Sequence, residues 1–176
     1  MPGVGAASID VLKRAGAAVM VPHGQVCCGM PAYSTGDVSS AREMALKNLE
    51  AFEAHDFDYI VTSCATCGYG LKRLFRELLG DVPELRNRVS AFSDRVRDIT
   101  ELLVHELNFT GKGRGGAGGA PVRVTYHDPC HLGRAQGVRD EPRELVAGAQ
   151  GVELKEMKHP CSCCGLGGGL SLSNYD

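Results

Sequence analysis

The sequence predicts an α/β protein of two pseudo-repeated units, each a largely parallel sheet with flanking helices and with cysteines at the carboxyl ends of strands. Three observations predict this. Short apolar strand-like runs alternate with helical periodicity, the pattern of a parallel sheet under helical cover. The word Val26-Cys27-Cys28-Gly29 returns as Ser162-Cys163-Cys164-Gly165, each copy after a strand-like run that opens at a glycine, Gly16 or Gly151. Between the copies, residues 110–121 are glycine-rich and read as a linker. The division is therefore 1–109, a linker over 110–121, and 122–176.

Residues 6–15 form the first expected helix, with Ile9 and Leu12 on its apolar face and Gly16 as its stop. Gly16–Pro22 reads as a buried strand leading to Cys27. Ala41, Ala45, Leu49 and Phe52 keep helical spacing, which predicts a helix over 39–55. A strand over 57–63 delivers Cys64-Ala-Thr-Cys67, and 71–79 is helical again. Asp94 is expected to cap a helix running to about 109, because Val96, Ile99, Leu103 and Leu107 are periodic. Beyond the linker, 122–126 is a strand ending in His127-Asp-Pro-Cys-His131, and a helix near 141–149 leads to a strand over 151–157. In open α/β sheets the carboxyl edge of the strands is where sites are built, so thiols far apart in sequence are expected to converge there.

The composition excludes several classes. A net charge of −2 and a pI near 6.3 give no footprint for nucleic acid or an anionic membrane. No run approaches the ~20 apolar residues of a membrane span. Asp10, Lys13 and Arg14 stand where a signal peptide would be apolar, so a reducing cytoplasmic setting is expected, with any membrane association through partners. There the eight cysteines point to metal or catalysis rather than to disulfides.

Adjacent Cα atoms lie ~3.8 Å apart, too close for an unstrained disulfide, and in a strand their side chains diverge. A turn is needed to aim both thiols at one object, and Gly29 and Gly165 supply it. A tetrahedral zinc is usually held by cysteines two to four residues apart; vicinal pairs suit a body with several metal atoms. The first half reads Cys27-Cys28-Gly and then Cys64-x-x-Cys67, with 35 residues between Cys28 and Cys64; the second reads Cys130, 32 residues, Cys163-Cys164-Gly. Overlaid, they make one repeat: Cys, long gap, Cys-Cys-Gly, long gap, Cys-x-x-Cys.

The words Gln25-Val-Cys-Cys-Gly-Met-Pro-Ala-Tyr33, Cys64-Ala-Thr-Cys67, Tyr126-His-Asp-Pro-Cys-His-Leu-Gly-Arg134 and Cys163-Cys-Gly-Leu-Gly-Gly168 resemble the cysteine-rich "CCG" domain of iron–sulfur oxidoreductase subunits. That family includes the cysteine-rich components of heterodisulfide reductase, of glycolate and lactate oxidase, and of anaerobic glycerol-3-phosphate dehydrogenase. The resemblance implies [4Fe–4S] clusters, non-cubane in the heterodisulfide reductase branch. It also implies electron transfer between a flavoprotein dehydrogenase or ferredoxin-type partner and a disulfide or quinone acceptor. Carried over residue by residue, the ligands are Cys27, Cys28, Cys64 and Cys67 in one set and Cys130, Cys163 and Cys164 in the other. The family pattern expects a further cysteine before the first set and a closing Cys-x-x-Cys after the second, so an internal piece of a two-repeat protein is expected. Cys161 has no place in that pattern; it either substitutes for a ligand of the second set or is incidental.

Two readings from other classes compete: a structural zinc module using the same thiols, and a metal-free dithiol–disulfide enzyme using Cys64 and Cys67 at a helix start. His127 and His131 beside Cys130 read as structural hydrogen-bonding groups, His23 and His159 as supporting or surface groups. Tyr33 and Tyr126 read as packing residues. The run Gly165-Leu-Gly-Gly-Gly169 is no dinucleotide loop, because Leu170 falls where the third glycine is required; its N–H groups are expected to face cluster sulfurs.

Overall fold

The computed structural model describes residues 2–111 and 120–165. They form an α/β protein of short strands and helices in two compact units that interleave along the chain. One joins 20–97 with the segment from Cys163 onward, and the other joins the chain up to Val19 with 98–162. Residues 112–119 of the expected linker and the glycines beyond Gly165 lie outside the described residues.

The first of these units is built on one apolar core. Helix α3 (Val38–Glu53) starts where the Asp37 carboxylate accepts the Ser40 N–H at 3.0 Å, a side-chain N-cap. It buries Ala41, Ala45 and Leu49 at four-residue intervals. Strand β1 (Ile60–Thr62) leads into α4 (Ala65–Tyr69), a π-helical turn over Gly70–Leu74, and α5 (Phe75–Leu79), one continuous helical rod. The wider turn leaves carbonyls without their usual partner; the buried Ser93 hydroxyl donates to Leu71 O at 2.8 Å. The Arg42 guanidinium donates to the Leu78 carbonyl and pairs with Asp81 at 3.2 Å, closing the end of α5. Phe75 stacks on Phe92 at 5.6 Å between centroids, and Phe52 meets Phe92 edge-on.

Here the sequence expectation needs correction. Asp94 is the last residue of α6 (Pro83–Asp94), which carries Leu85, Val89 and Phe92 inward, and its carboxylate pairs with Arg76 at 2.5 Å. The chain then forms β2 (Val96–Asp98), paired with β1. The cap of the next helix is Asp98, in a reciprocal capping box with Glu101, opening α7 (Ile99–Glu101) and a π-helical turn over Leu102–Glu106. The periodic series had joined a strand residue, Val96, to a helix that starts three residues later. The segment Gly16–Pro22 is also not a strand. It leaves a turn at Gly16 and has no regular secondary structure, pairing with no strand among the described residues, with Met20 and Val21 exposed.

The second unit holds α1 (Pro2–Arg14) and a parallel pair, β3 (Val122–Val124) and β4 (Val152–Leu154), in register Val122↔Val152 and Val124↔Leu154. The helix stop was legible: Gly16 is left-handed at φ 93°, and Ala17 N donates to Leu12 O, closing α1. Helix α8 (Asp140–Gly148) connects β3 to β4, with Pro142 in its first turn. His105 Nε2 lies 2.7 Å from Glu141 Oε1, tying the Leu102–Glu106 turn to α8.

Candidate metal centre

The first cysteine set is assembled by three elements of one unit. Val26-Cys27-Cys28 turns sharply at Gly29, left-handed at φ 79°, into the short helix α2 (Met30–Ser34). A Cβ at Gly29 would stand 3.1 Å from Ala41 O on α3, so glycine is required twice over, by conformation and by space. The turn is gripped from behind by Asn48. This side chain, 2% exposed, accepts Val26 N–H at 3.0 Å and donates to Cys27 O at 3.0 Å and Met44 O at 2.9 Å. These bonds fix the backbone on either side of Cys27.

Cys64 and Cys67 arrive from the other direction. Cys64 is the N-cap residue of α4, just past β1, and its N–H is accepted by Thr62 Oγ1 at 3.1 Å. Gly70, buried one turn after Cys67, lies against Cys28, with 3.5 Å from an added Cβ to Cys28 Cβ. The small residue lets the helix approach, and Cys67, three positions earlier on that face, meets Cys28. Hydrogen bonding from Cys67 holds the Cys28 thiol down at about 6, assisted by the Met30 N–H and Cys27 and opposed by burial. The same bond, with burial and the negative charge of Cys28 and Cys64, pushes Cys67 far above the ordinary thiol range. The Cys28–Cys67 pair therefore holds one thiolate, on Cys28, and ionising Cys67 beside it needs a positive charge there.

Thiolates select soft metals, zinc, copper(I) or iron–sulfur clusters. The donor chemistry of the linked thiols Cys27, Cys28, Cys67 and Cys64 fits such a group. Among the described residues, no three His, Cys, Asp or Glu side chains converge on a point suited to a single metal ion.

The remaining cysteines are placed separately. Cys130 is exposed and opens a π-helical turn, Cys130–Arg134. Cys163 and Cys164 are exposed, and Gly165, left-handed at φ 72°, donates its N–H to Cys163 Sγ at 3.4 Å. Cys130 and the 163/164 pair belong to different compact units.

The loop that carries Cys130 is stitched to the strand-following segment 158–162. His127 Nε2 lies 2.8 Å from Ser162 O, and Asp128 N donates to Pro160 O at 2.9 Å. His127 is a hydrogen-bonding group, as its sequence context suggested. Tyr126 packs beneath the Arg143 guanidinium, 5.1 Å from its ring centre; Tyr33 packs against the apolar core and donates its hydroxyl to Glu77 at 2.5 Å. Asn48, Gly70 and Asp128 were not singled out by the sequence reading. Asn48 left one signal, a polar residue on the apolar face of a periodic helix, between Ala45 and Leu49.

The cysteine-rich domain family, CCG, matches this chain twice, over residues 1–72 and 124–175. Among curated proteins, a fumarate reductase (CoM/CoB) subunit of Methanothermobacter marburgensis is 40% identical over 97% of this chain. The chain spans 31% of that relative's length. "Lactate utilization protein A" of Bacillus cytotoxicus is 37% identical over 96% of this chain and 68% of its own length. "Lactate utilization protein A 1" of Bacillus cereus is 36% identical over the same shares. No solved structure matches significantly.

Proposed function

This chain belongs to the cysteine-rich domain (CCG) family, and on that premise we propose that it is an iron–sulfur electron-transfer subunit of an oxidoreductase. One observation carries the reading: the Cys-Cys-Gly turn and the Cys-x-x-Cys helix start, far apart in sequence, meet through Cys28 and Cys67. Cys27, Cys28, Cys64 and Cys67 would hold one cluster; Cys130, Cys163 and Cys164 would serve the second repeat, whose sequence extent is 122–176. The group of the [4Fe–4S] class supplies one-electron storage at a potential set by its ligands, hydrogen bonds to sulfur and exposure.

The chain's own residues do the rest. Asn48 and Gly29 orient the Cys27–Cys28 turn, Thr62 orients the Cys64 backbone, and the Gly165 N–H aimed at the Cys163 sulfur would tune a bound cluster. Relatives named as part of a reductase and as a lactate utilization protein support work beside partner proteins. The partner class is a flavoprotein dehydrogenase or a ferredoxin-type protein, with a disulfide or quinone as acceptor, in the cytoplasm. No helix among the described residues is long and apolar enough to cross a membrane.

Anaerobic purification followed by iron, sulfide and zinc analysis tests the reading. A brown protein with iron and sulfide in matching amounts is expected, and Cys28→Ser or Cys67→Ser should each lose most of the metal of the first set. A colourless protein with stoichiometric zinc would instead establish a structural zinc module. Activity without metal, abolished by changing Cys64 or Cys67 alone, would establish a dithiol enzyme.

A further inference from the structure

Cys161 lies outside the family's cysteine pattern, and its surroundings differ from those of the other thiols. Its Sγ donates to Asp128 Oδ2 at 3.3 Å and lies 3.8 Å from Arg139 Nη1, while Arg134 Nη2 donates to its carbonyl at 2.9 Å. It lines an open pocket of about 330 Å³ with Arg134, Lys158, His159, Pro160 and Ser162. All of these belong to one compact unit.

The charge in this pocket is unbalanced. The nearby acid, Asp128, is buried and held bidentate by Arg143 at 2.7 and 3.2 Å, and the same guanidinium takes Glu156 at 2.6 and 3.3 Å. That network of one cation and two carboxylates keeps one net negative charge. Against it stand Arg134 and Lys158 in the pocket lining, with His159, and Arg139 beside the sulfur, so the surroundings are net positive. Guanidinium forks and an ammonium facing a small concavity are the groups that recognise a carboxylate or phosphate.

We propose that this pocket binds a small oxyanion, a carboxylate or phosphate group, and presents it beside the Cys161 thiol. The recognised chemistry is the anionic head of a small molecule that fits a cavity of this size. It goes beyond electron transfer and does not depend on the metal assignment.

The thiol in the wall makes the proposal measurable. Protein purified anaerobically with its metal in place is alkylated with iodoacetate or with the neutral iodoacetamide, and Cys161 labelling is followed by peptide mass mapping. The ratio of the two rates at Cys161 should exceed the ratio for the same peptide in the unfolded chain by roughly threefold to tenfold, the range expected for a few charges close to a partly screened site. Lys158→Ala, which leaves the hydrogen-bonded frame untouched, should bring the ratio at least about halfway back. Succinate and inorganic phosphate should each be tried as protectors at millimolar concentration; the one that slows labelling more identifies the source of the oxyanion. A ratio equal to that of the unfolded chain overturns the proposal, as does a Cys161 that cannot be labelled at all. An elevated ratio that neither anion protects shows a diffuse positive field without a binding site, and overturns it too. Metal content measured on the same samples separates this result from failure of the iron–sulfur reading.

Discussion

Asn48 sits at 2% exposure with both ends of its amide engaged, and three of its bonds end on backbone. Truncation strands the Val26 N–H and the Cys27 carbonyl in a part-buried place. Asn48→Ala is expected to cost about 1–3 kcal/mol in denaturant unfolding of the metal-free protein, and to lower iron retention at the Cys27–Cys28 turn more than a surface change of equal cost. An unchanged midpoint would show that the turn stands without it. Asp128 is a second such residue. It is 6% exposed and bidentate to Arg143. Asp128→Asn leaves the half-buried Arg143 guanidinium with Glu156 alone of the two carboxylates it holds, and weakening a charge-assisted hydrogen-bonded pair of this kind costs about 1.5–3 kcal/mol; thermal unfolding should show it.

At the scale of elements, the turn after α7 and the start of α8 are joined through His105 and Glu141. The Glu141 carboxylate holds the His105 imidazolium, raising its pKa above the ordinary histidine value. Burial opposes the ionised form of Glu141, yet bonding to His105 and to backbone N–H groups keeps its carboxyl below the usual value. For His105, whose folded value is raised, the added stability is fully present below about 6.5, the unfolded value. It is lost as pH rises through the raised folded value. Glu141 sets the other limit, since its contribution disappears as pH falls through its lowered value. Stability measured against pH should therefore decline above about pH 6.5 in part through this pair, and His105→Ala should flatten that decline. An identical slope in the variant would remove the pair from the account.

For the molecule as a whole, the compact units do not follow the repeats. The chain up to Val19 and residues 98–162 share one unit, because the helix opened by Asp98 packs with α8 instead of staying with its own half of the sequence. A protease site engineered into the glycine-rich stretch 112–119 and cleaved should therefore yield two fragments that remain together on gel filtration. Fragments that separate without denaturant would show that the units are autonomous and follow the repeats.

Residue chemistry and local period were readable without coordinates. The Cys-Cys-Gly words, the Cys-x-x-Cys at a strand end, the Gly16 stop and the helix over α3 are all local, since each depends on the neighbours of a residue in the chain. The turn expected after each cysteine pair, with glycine to permit it, is made by Gly29 and Gly165 in the left-handed region at φ 79° and 72°. Other features depend on residues far apart in sequence. Gly16–Pro22 has strand composition, but a strand exists only where a partner offers its hydrogen bonds, and composition cannot supply one. Asp94 and Asp98 are both good caps; only packing of α6 onto Phe75 decided which one ends a helix and which one begins the next. Asn48 reads as an ordinary helix residue until α3 is laid behind the Cys27 turn, and Cys28 and Cys67 become neighbours only when Gly70 lets α4 come close. Local propensity is written in a short window of sequence, whereas contact between distant thiols is decided by which surfaces the whole chain can bury together.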